Sequence, residues 1–175
     1  MQSAMDLHLQ DFLAHLGRER RLSPHTLAVY QRDLSRCGEL FAEAGRDQWK
    51  QVDSQDVRML VAREHRRGLS GRSIQRQLSA LRALYRWLLR EGLCQHNPAD
   101  GISAPRSGRR LPKALDPDQA NQLLQPAADN DPLTIRDLAL MELIYSSGLR
   151  LAEVLSLNVD TIDFADGSMV VTGKG

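Results

Sequence analysis

Cysteines and long hydrophobic runs are scarce in this sequence of 175 residues. Its two cysteines, Cys37 and Cys94, belong to no CxxC pair and no Cys/His cluster, which argues against a disulfide scaffold and a zinc site. The longest apolar stretch, residues 138–145, is interrupted by Glu142 and is shorter than the ~20 residues that a membrane span needs. The N-terminus has neither a basic start nor a continuous apolar run, so no secretory signal is predicted. We therefore expect a cytoplasmic globular protein without a membrane segment.

The net charge of +1 hides a strong asymmetry along the chain. Residues 1–110 hold 19 Lys and Arg against 12 Asp and Glu, a net charge of +7, whereas residues 111–175 hold 4 against 10, a net charge of −6. The stretch from Arg58 to Arg90 contains nine arginines and only one acid, Glu64. This asymmetry indicates a basic module suited to a polyanion, joined to a module of different character.

Helical spacing of apolar residues and strong cap signals predict four helices in the basic part. The helices are expected over about residues 5–20, 24–44, 54–67 and 71–90. Ser23-Pro24 is typical of a helix start, with serine at the cap and proline in the first turn. Four helices with short connections predict a small bundle, to which we assign residues 1–96.

A different composition marks the rest of the chain. Residues 97–113 are rich in proline and glycine and have no apolar period, which predicts a linker. In the second domain, residues 114–175, the cap signals Asp116-Pro117 and Asp131-Pro132 predict two helices, and a short third one is expected over residues 151–155. Two strand-like runs, residues 161–164 and 168–171, flank a turn that contains Asp166-Gly167 and predict a hairpin. Three helices and one hairpin leave their apolar faces uncovered, so we expect this α+β domain to be incomplete.

The arginines of the fourth helix fall on one face. At about 100° per residue, five arginines occupy an arc of about 120°, almost no acid shares this arc, and the apolar residues lie on the opposite side. Like charges four residues apart strain a helix, and phosphate groups would neutralise them. Arginine, glutamine and serine are also side chains that read base edges in the major groove. The polar arc consists of Arg72, Gln75, Arg76, Ser79, Arg82, Arg86 and Arg90.

The second helix shows a similar division. His25, Arg32 and Arg36 lie opposite its apolar stripe, so they join the predicted DNA-binding set. The alternative is that these charges only solvate two helix faces. None of the histidines has the spacing of metal ligands, and no metal site is predicted.

Several motifs resemble those of the tyrosine site-specific recombinases, the phage integrase family. Residues 145–157 (YSSGLRLAEVLSL) resemble the first catalytic box, and residues 170–175 (VVTGKG) resemble the hairpin motif that carries a lysine. Residues 22–27 (LSPHTL), 78–82 (LSALR) and 97–99 (NPA) resemble the opening, last helix and exit of the family's core-binding domain. The resemblance covers essentially the whole chain and is closest to the subgroup that resolves chromosome dimers.

The resemblance implies a mainly α protein, with a four-helix, SAM-like core-binding bundle followed by the α+β start of a catalytic domain. It implies strand breakage and rejoining through a 3′-phosphotyrosyl intermediate, without metal or nucleotide. Arg150 would bind the reacting phosphate, because a guanidinium forms a permanently charged fork. Lys174 would donate a proton to the leaving 5′-oxygen. Glu153, three residues after Arg150, would orient the guanidinium.

The family's remaining catalytic residues, a His-x-x-Arg pair, a later His or Trp and the nucleophilic tyrosine, all lie further along than the lysine motif, and this sequence has none of them there. Tyr30, Tyr85 and Tyr145 are its only tyrosines, and we assign none of them as nucleophile. We therefore expect the chain as given to bind double-stranded DNA without cleaving it alone. The resemblance further implies a related recombinase as partner in a heterotetramer on DNA, and a DNA translocase at the division septum.

Three alternatives remain at this point. One is a phage or integron integrase, which has the same chemistry and a different biological role. The second is a helical DNA-binding regulator without chemistry, and the third is a protein-interaction bundle that never meets DNA.

Overall fold

The computed structural model describes residues 3–106, 114–125, 131–171 and 173. The chain divides into two compact units, Met1–Arg110 and Leu111–Gly175. This division falls inside the predicted linker, residues 97–113. Across the described residues, none of the helices combines the length and the apolar character that crossing a bilayer requires.

The first unit contains the four predicted helices with nearly the predicted bounds. A side-chain oxygen caps each N-terminus, as the sequence indicates for the second helix, and the four capping residues are Ser3, Ser23, Asp53 and Ser70. A 3₁₀ turn between the second and third helices, Trp49–Gln51, has no counterpart in the sequence prediction. The helices are α1 (Ala4–Arg18), α2 (Pro24–Glu43), α3 (Ser54–Arg66) and α4 (Gly71–Arg90).

Trp49 lies at the centre of the core of this unit. Its indole Nε1 donates a hydrogen bond to the carbonyl of Met5 (3.1 Å), and its ring packs edge-on against Phe41 and Tyr85 at centroid distances of 6.3 and 6.2 Å. The Tyr85 hydroxyl donates to the Trp49 carbonyl at 2.9 Å. The 3₁₀ turn therefore joins α1, α2 and α4 through one buried aromatic cluster.

Replacing Tyr85 with phenylalanine should lower the free energy of unfolding by about 1 kcal/mol, because it deletes a buried hydrogen bond and keeps the ring. Tyr30→Phe is the matched control, since the half-buried Tyr30 hydroxyl has no partner among the described residues. Urea unfolding followed by circular dichroism measures both variants. Equal losses in the two variants would contradict the role given to this hydrogen bond.

The beginning of the predicted linker packs on the first unit. Pro98, Ala99 and Ile102 are buried against its core, and Asn97 Oδ1 accepts the backbone N–H of Ala99 at 3.1 Å. Gly101 has a φ of 72°, which allows the chain to turn there. This packing could not be predicted from an apolar period, because the three buried residues follow neither helical nor strand spacing.

The second unit also contains the predicted elements. Asp116 and Asp131 cap α5 (Pro117–Leu123) and α6 (Pro132–Ser147), and α7 (Leu151–Val154) follows. The described residues of α6 include none that is buried, so its apolar side chains remain partly or fully accessible.

The predicted hairpin is present but short. Strands β1 (Ile162–Asp163) and β2 (Ser168–Met169) are antiparallel, with Ile162 opposite Met169. A four-residue turn that includes Asp166-Gly167 connects them, as the sequence indicates. Thr161, predicted to begin the first strand, ends a 3₁₀ turn instead.

Candidate nucleic-acid interface

The polar arc of α4 is a real surface of the first unit. The side of the helix with Ile74, Leu78, Leu81, Leu84 and Leu88 is buried. The residues predicted to face outward are exposed, except that Arg82 is half-buried. We use the name arginine face for Arg72, Gln75, Arg76, Ser79, Arg82, Arg86 and Arg90.

An acid from another helix reaches this face. Asp33 of α2, 6% exposed, accepts two hydrogen bonds from Arg76, at 2.8 Å from Nε and 3.1 Å from Nη2. A buried carboxylate needs such a partner, since an unpaired charge in the interior is costly. The Arg76 side chain remains 47% exposed, so the pair fixes its direction without hiding it. The pattern of α4 alone could not show this acid.

Arg82 is engaged inside the protein. Its Nε donates to the carbonyl of Ala99 at 3.1 Å, and its Nη2 donates to the carbonyl of Ile102. Both carbonyls belong to the segment that leaves the bundle. The visible role of Arg82 is therefore to fasten this segment to α4, and its predicted contact with DNA stays a prediction.

Replacing Arg82 with alanine should accelerate amide hydrogen exchange in residues 97–104 by about tenfold or more, because hydrogen bonds from a charged donor are worth about 1.5–3 kcal/mol. Arg86→Ala is the control, since it removes the same charge from an exposed side chain that has no partner among the described residues. Exchange followed by mass spectrometry measures both. The same exchange rate in both variants would contradict the fastening role.

The basic residues of α2 differ in their contacts. His25 and Arg32 are exposed and have no side-chain partner within the described part of the chain. Arg36 is half-buried and donates to Glu39 at 3.0 Å, and its Nε lies 3.4 Å from the buried Glu64. The cations of the predicted set that remain available to an external anion are therefore chiefly Arg32, Arg72 and Arg86.

Arg150 occupies a defined position in the second unit. Gly148, with a left-handed φ of 65°, ends α6, and Arg150 then caps α7 with extended backbone. Glu153 accepts the Arg150 backbone N–H at 2.9 Å and its Nη1 at 2.8 Å. These two hydrogen bonds, first the backbone one, lower the pKa of Glu153. Glu153 therefore stays ionised and holds the backbone N–H and Nη1 of Arg150, whose side chain is 83% exposed.

Two predicted features lie outside the described residues. Lys174 and Gly175 belong to the lysine motif, of which the structure describes Val170, Val171 and Gly173. The last part of the predicted linker, residues 107–113, is likewise outside. The general-acid role of Lys174 stays a prediction.

No tyrosine within the described ranges has the environment of an activated nucleophile. Tyr85 is buried, its hydroxyl is bound to a carbonyl, and burial raises its pKa. Tyr30 is half-buried and Tyr145 is exposed. Burial also raises the pKa of the Cys37 thiol, which makes it inert. Among the described residues there is no group of three or more metal-ligating side chains.

Comparison with protein families and curated proteins gives consistent matches. The model for the phage integrase N-terminal SAM-like domain matches residues 9–92, and that for the phage integrase family matches residues 113–175. Tyrosine recombinase XerC of Pseudomonas savastanoi pv. phaseolicola is 49% identical over 98% of this chain and 57% of the relative. XerC of Alcanivorax borkumensis is 54% identical over 94% and 53%. The chain thus spans somewhat more than half the length of these relatives.

Solved structures share the fold. The Tn1549 transposon integrase, solved in complex with circular intermediate DNA, matches with a TM-score of 0.70 and 19% identity, over 94% of this chain and 53% of that one. The integrase from mycobacterium phage Brujita matches with a TM-score of 0.51 and 20% identity, over 98% and 55%. At these identities the likeness supports the architecture alone.

Proposed function

The chain belongs to the phage integrase family of tyrosine recombinases, and we propose on this basis that its first unit binds duplex DNA through the arginine face. The observation that carries this proposal is the set of exposed guanidiniums on α4 and α2 that no acid of the described chain neutralises. Phosphate groups are the anions that such a row fits, because each guanidinium offers a bidentate fork.

The dimensions of α4 suit a duplex. From Arg72 to Arg90 the helix rises about 27 Å at 1.5 Å per residue, long enough to follow a groove over several base pairs. Gln75 and Ser79, exposed between the arginines, would face base edges if the helix lay in the major groove. One structural relative, the Tn1549 transposon integrase, was solved in complex with DNA, which agrees with this use of the fold.

For the second unit we propose the catalytic arginine of a phosphoryl transfer. A tyrosine attack on a DNA phosphodiester passes through a state with extra negative charge on the phosphate oxygens, and the exposed Arg150 guanidinium would stabilise that charge. Glu153 would keep the Arg150 guanidinium oriented, and Lys174 would protonate the leaving 5′-oxygen. The nucleophilic tyrosine and the remaining catalytic residues would come from outside the 175 residues, so this chain alone would bind DNA without cleaving it.

The identity of about 50% to several XerC proteins favours a specific role for the whole protein. This role is site-specific recombination that resolves chromosome dimers at cell division, in a heterotetramer with a XerD-like recombinase and in contact with a division-septum DNA translocase. The reaction would take place on the chromosome, in the cytoplasm. A phage or integron integrase is the second candidate, supported by the shared fold alone.

Covalent capture tests this proposal. The whole protein is incubated with genomic DNA of its own cell, with and without the XerD-like partner, and the complexes are trapped with detergent and sequenced. We expect a tyrosine linked to a DNA 3′-phosphate at one chromosomal site, with a yield that rises when the partner is present. A link to a 5′-phosphate, or no covalent complex under either condition, would contradict it.

A further inference from the structure

A small open cavity lies between α1 and α4 in the first unit, with a volume of about 130 Å³. Its floor includes the rings of Phe12 and Trp87, whose centroids are 5.8 Å apart. Its basic lining residues are Arg20 and His15 beside α4's Arg86 and Arg90. The cavity therefore combines an apolar floor with a cationic rim.

The charges of this rim are only partly balanced. Arg20 and Arg86 are exposed and have no side-chain partner in the ranges that the structure describes. Arg90 Nη2 donates to Glu91 at 3.0 Å and lies 3.4 Å from His15 Nε2.

The acids near the rim do not line the cavity. Glu19 Oε1 lies 2.9 Å from His15 Nδ1, and neither Glu19 nor Glu91 belongs to the cavity wall. Three guanidiniums thus surround a concave space that contains no carboxylate. Their mutual repulsion would be relieved by an anion bound between them.

We propose that this cavity binds one phosphodiester group of duplex DNA, an inference that rests on the proposed function and extends the contact surface from α4 to His15 of α1 and to Arg20, which follows α1. Arg86 and Arg90 belong to the arginine face, so a duplex lying along that face brings its backbone to the rim. The guanidiniums bind the phosphate oxygens, and the aromatic floor packs against the adjoining deoxyribose. A free phosphate ion leaves the apolar floor without a partner, which favours a phosphate carried by a sugar.

The slope of log affinity against log salt counts the phosphates that a protein neutralises, at about −0.9 for each one on B-DNA. We expect Arg20→Ala to make this slope less negative by about 0.9 in the 175-residue chain, and Arg20→Lys to restore part of it. Arg18→Ala is the matched control, because Arg18 is an exposed cation at the same end of α1 that does not line the cavity.

Tryptophan emission provides a second, local readout. Trp49 is only 2% exposed, whereas Trp87 is half-buried in the cavity wall, so quenching by acrylamide reports chiefly on Trp87. Duplex DNA should protect Trp87 from acrylamide in the wild type and in Arg18→Ala, and should protect it less in Arg20→Ala. Inorganic phosphate at the same ionic strength should not protect it.

The outcomes separate this proposal from the proposed function. A steep wild-type slope that Arg20→Ala leaves unchanged would overturn the pocket while DNA binding by the arginine face stands. An equal change in Arg18→Ala would also overturn it, since the effect would then come from charge at a distance. Protection by inorganic phosphate and none by DNA would assign the cavity to a free anion. A wild-type chain that binds no duplex would overturn both proposals together.

Discussion

Replacing Arg150 with alanine in the whole protein should slow DNA strand cleavage by about 10³–10⁵-fold, the range known for arginines that stabilise phosphoryl transfer. The affinity for duplex DNA should change little. The reason is the position of the Arg150 side chain. It is 83% exposed, and Glu153 holds only the backbone N–H and Nη1 of this residue. The rest of the guanidinium is free to meet charge that develops on a phosphate. Rates of covalent complex formation measure the cleavage step.

Two variants bracket this result. Arg136→Ala removes an exposed arginine of the same unit that pairs with its neighbour Asp137, and it should cleave at the wild-type rate. Glu153→Gln removes the charge that restrains Arg150, and its cleavage rate should fall between those of Arg150→Ala and Arg136→Ala. If Arg150→Ala cleaved as fast as Arg136→Ala, the catalytic assignment of Arg150 would be wrong.

Removing two unpaired cations of the arginine face together, as Arg72→Ala with Arg86→Ala, should weaken duplex binding and make the salt slope less negative by about 1.8, or two phosphates. Both side chains are exposed and without partners in the described chain, so the stability of the bundle should not change. Arg76 is unsuitable for this purpose. Its loss would leave the buried Asp33 carboxylate unpaired and destabilise the fold.

A charge-matched control separates position from net charge. Arg18→Ala with Arg58→Ala removes two exposed cations outside the arginine face, one on α1 and one on α3. Its duplex affinity at each salt concentration should remain close to that of the wild type. If both double variants lost the same affinity, the net charge of the unit would explain binding and the face would have no special role.

The sequence predicts the surface of α4 well because the information is local. One helical period decides which arginines point outward, and one cap residue decides where each helix begins. The contact between Arg150 and Glu153 is predictable for the same reason, since the two residues are three positions apart at the start of a helix.

Features that depend on distant partners could not be predicted. Asp33 meets Arg76 across 43 positions of sequence, and Arg82 meets the carbonyls of Ala99 and Ile102 across about one helix length. The cavity between α1 and α4 requires both helices to be packed before Arg20 and Arg86 face one space. No periodicity within one helix carries such information, and packing alone creates it.

The dependence of wild-type duplex binding on salt decides whether the arginine face is a phosphate-binding surface. If the unpaired Arg72 and Arg86 of this face and the unpaired Arg32 of α2 each neutralise one phosphate, the slope of log affinity against log salt should be about −2.7 or steeper. A slope near zero, with affinity maintained as salt rises, would show that this surface has another purpose.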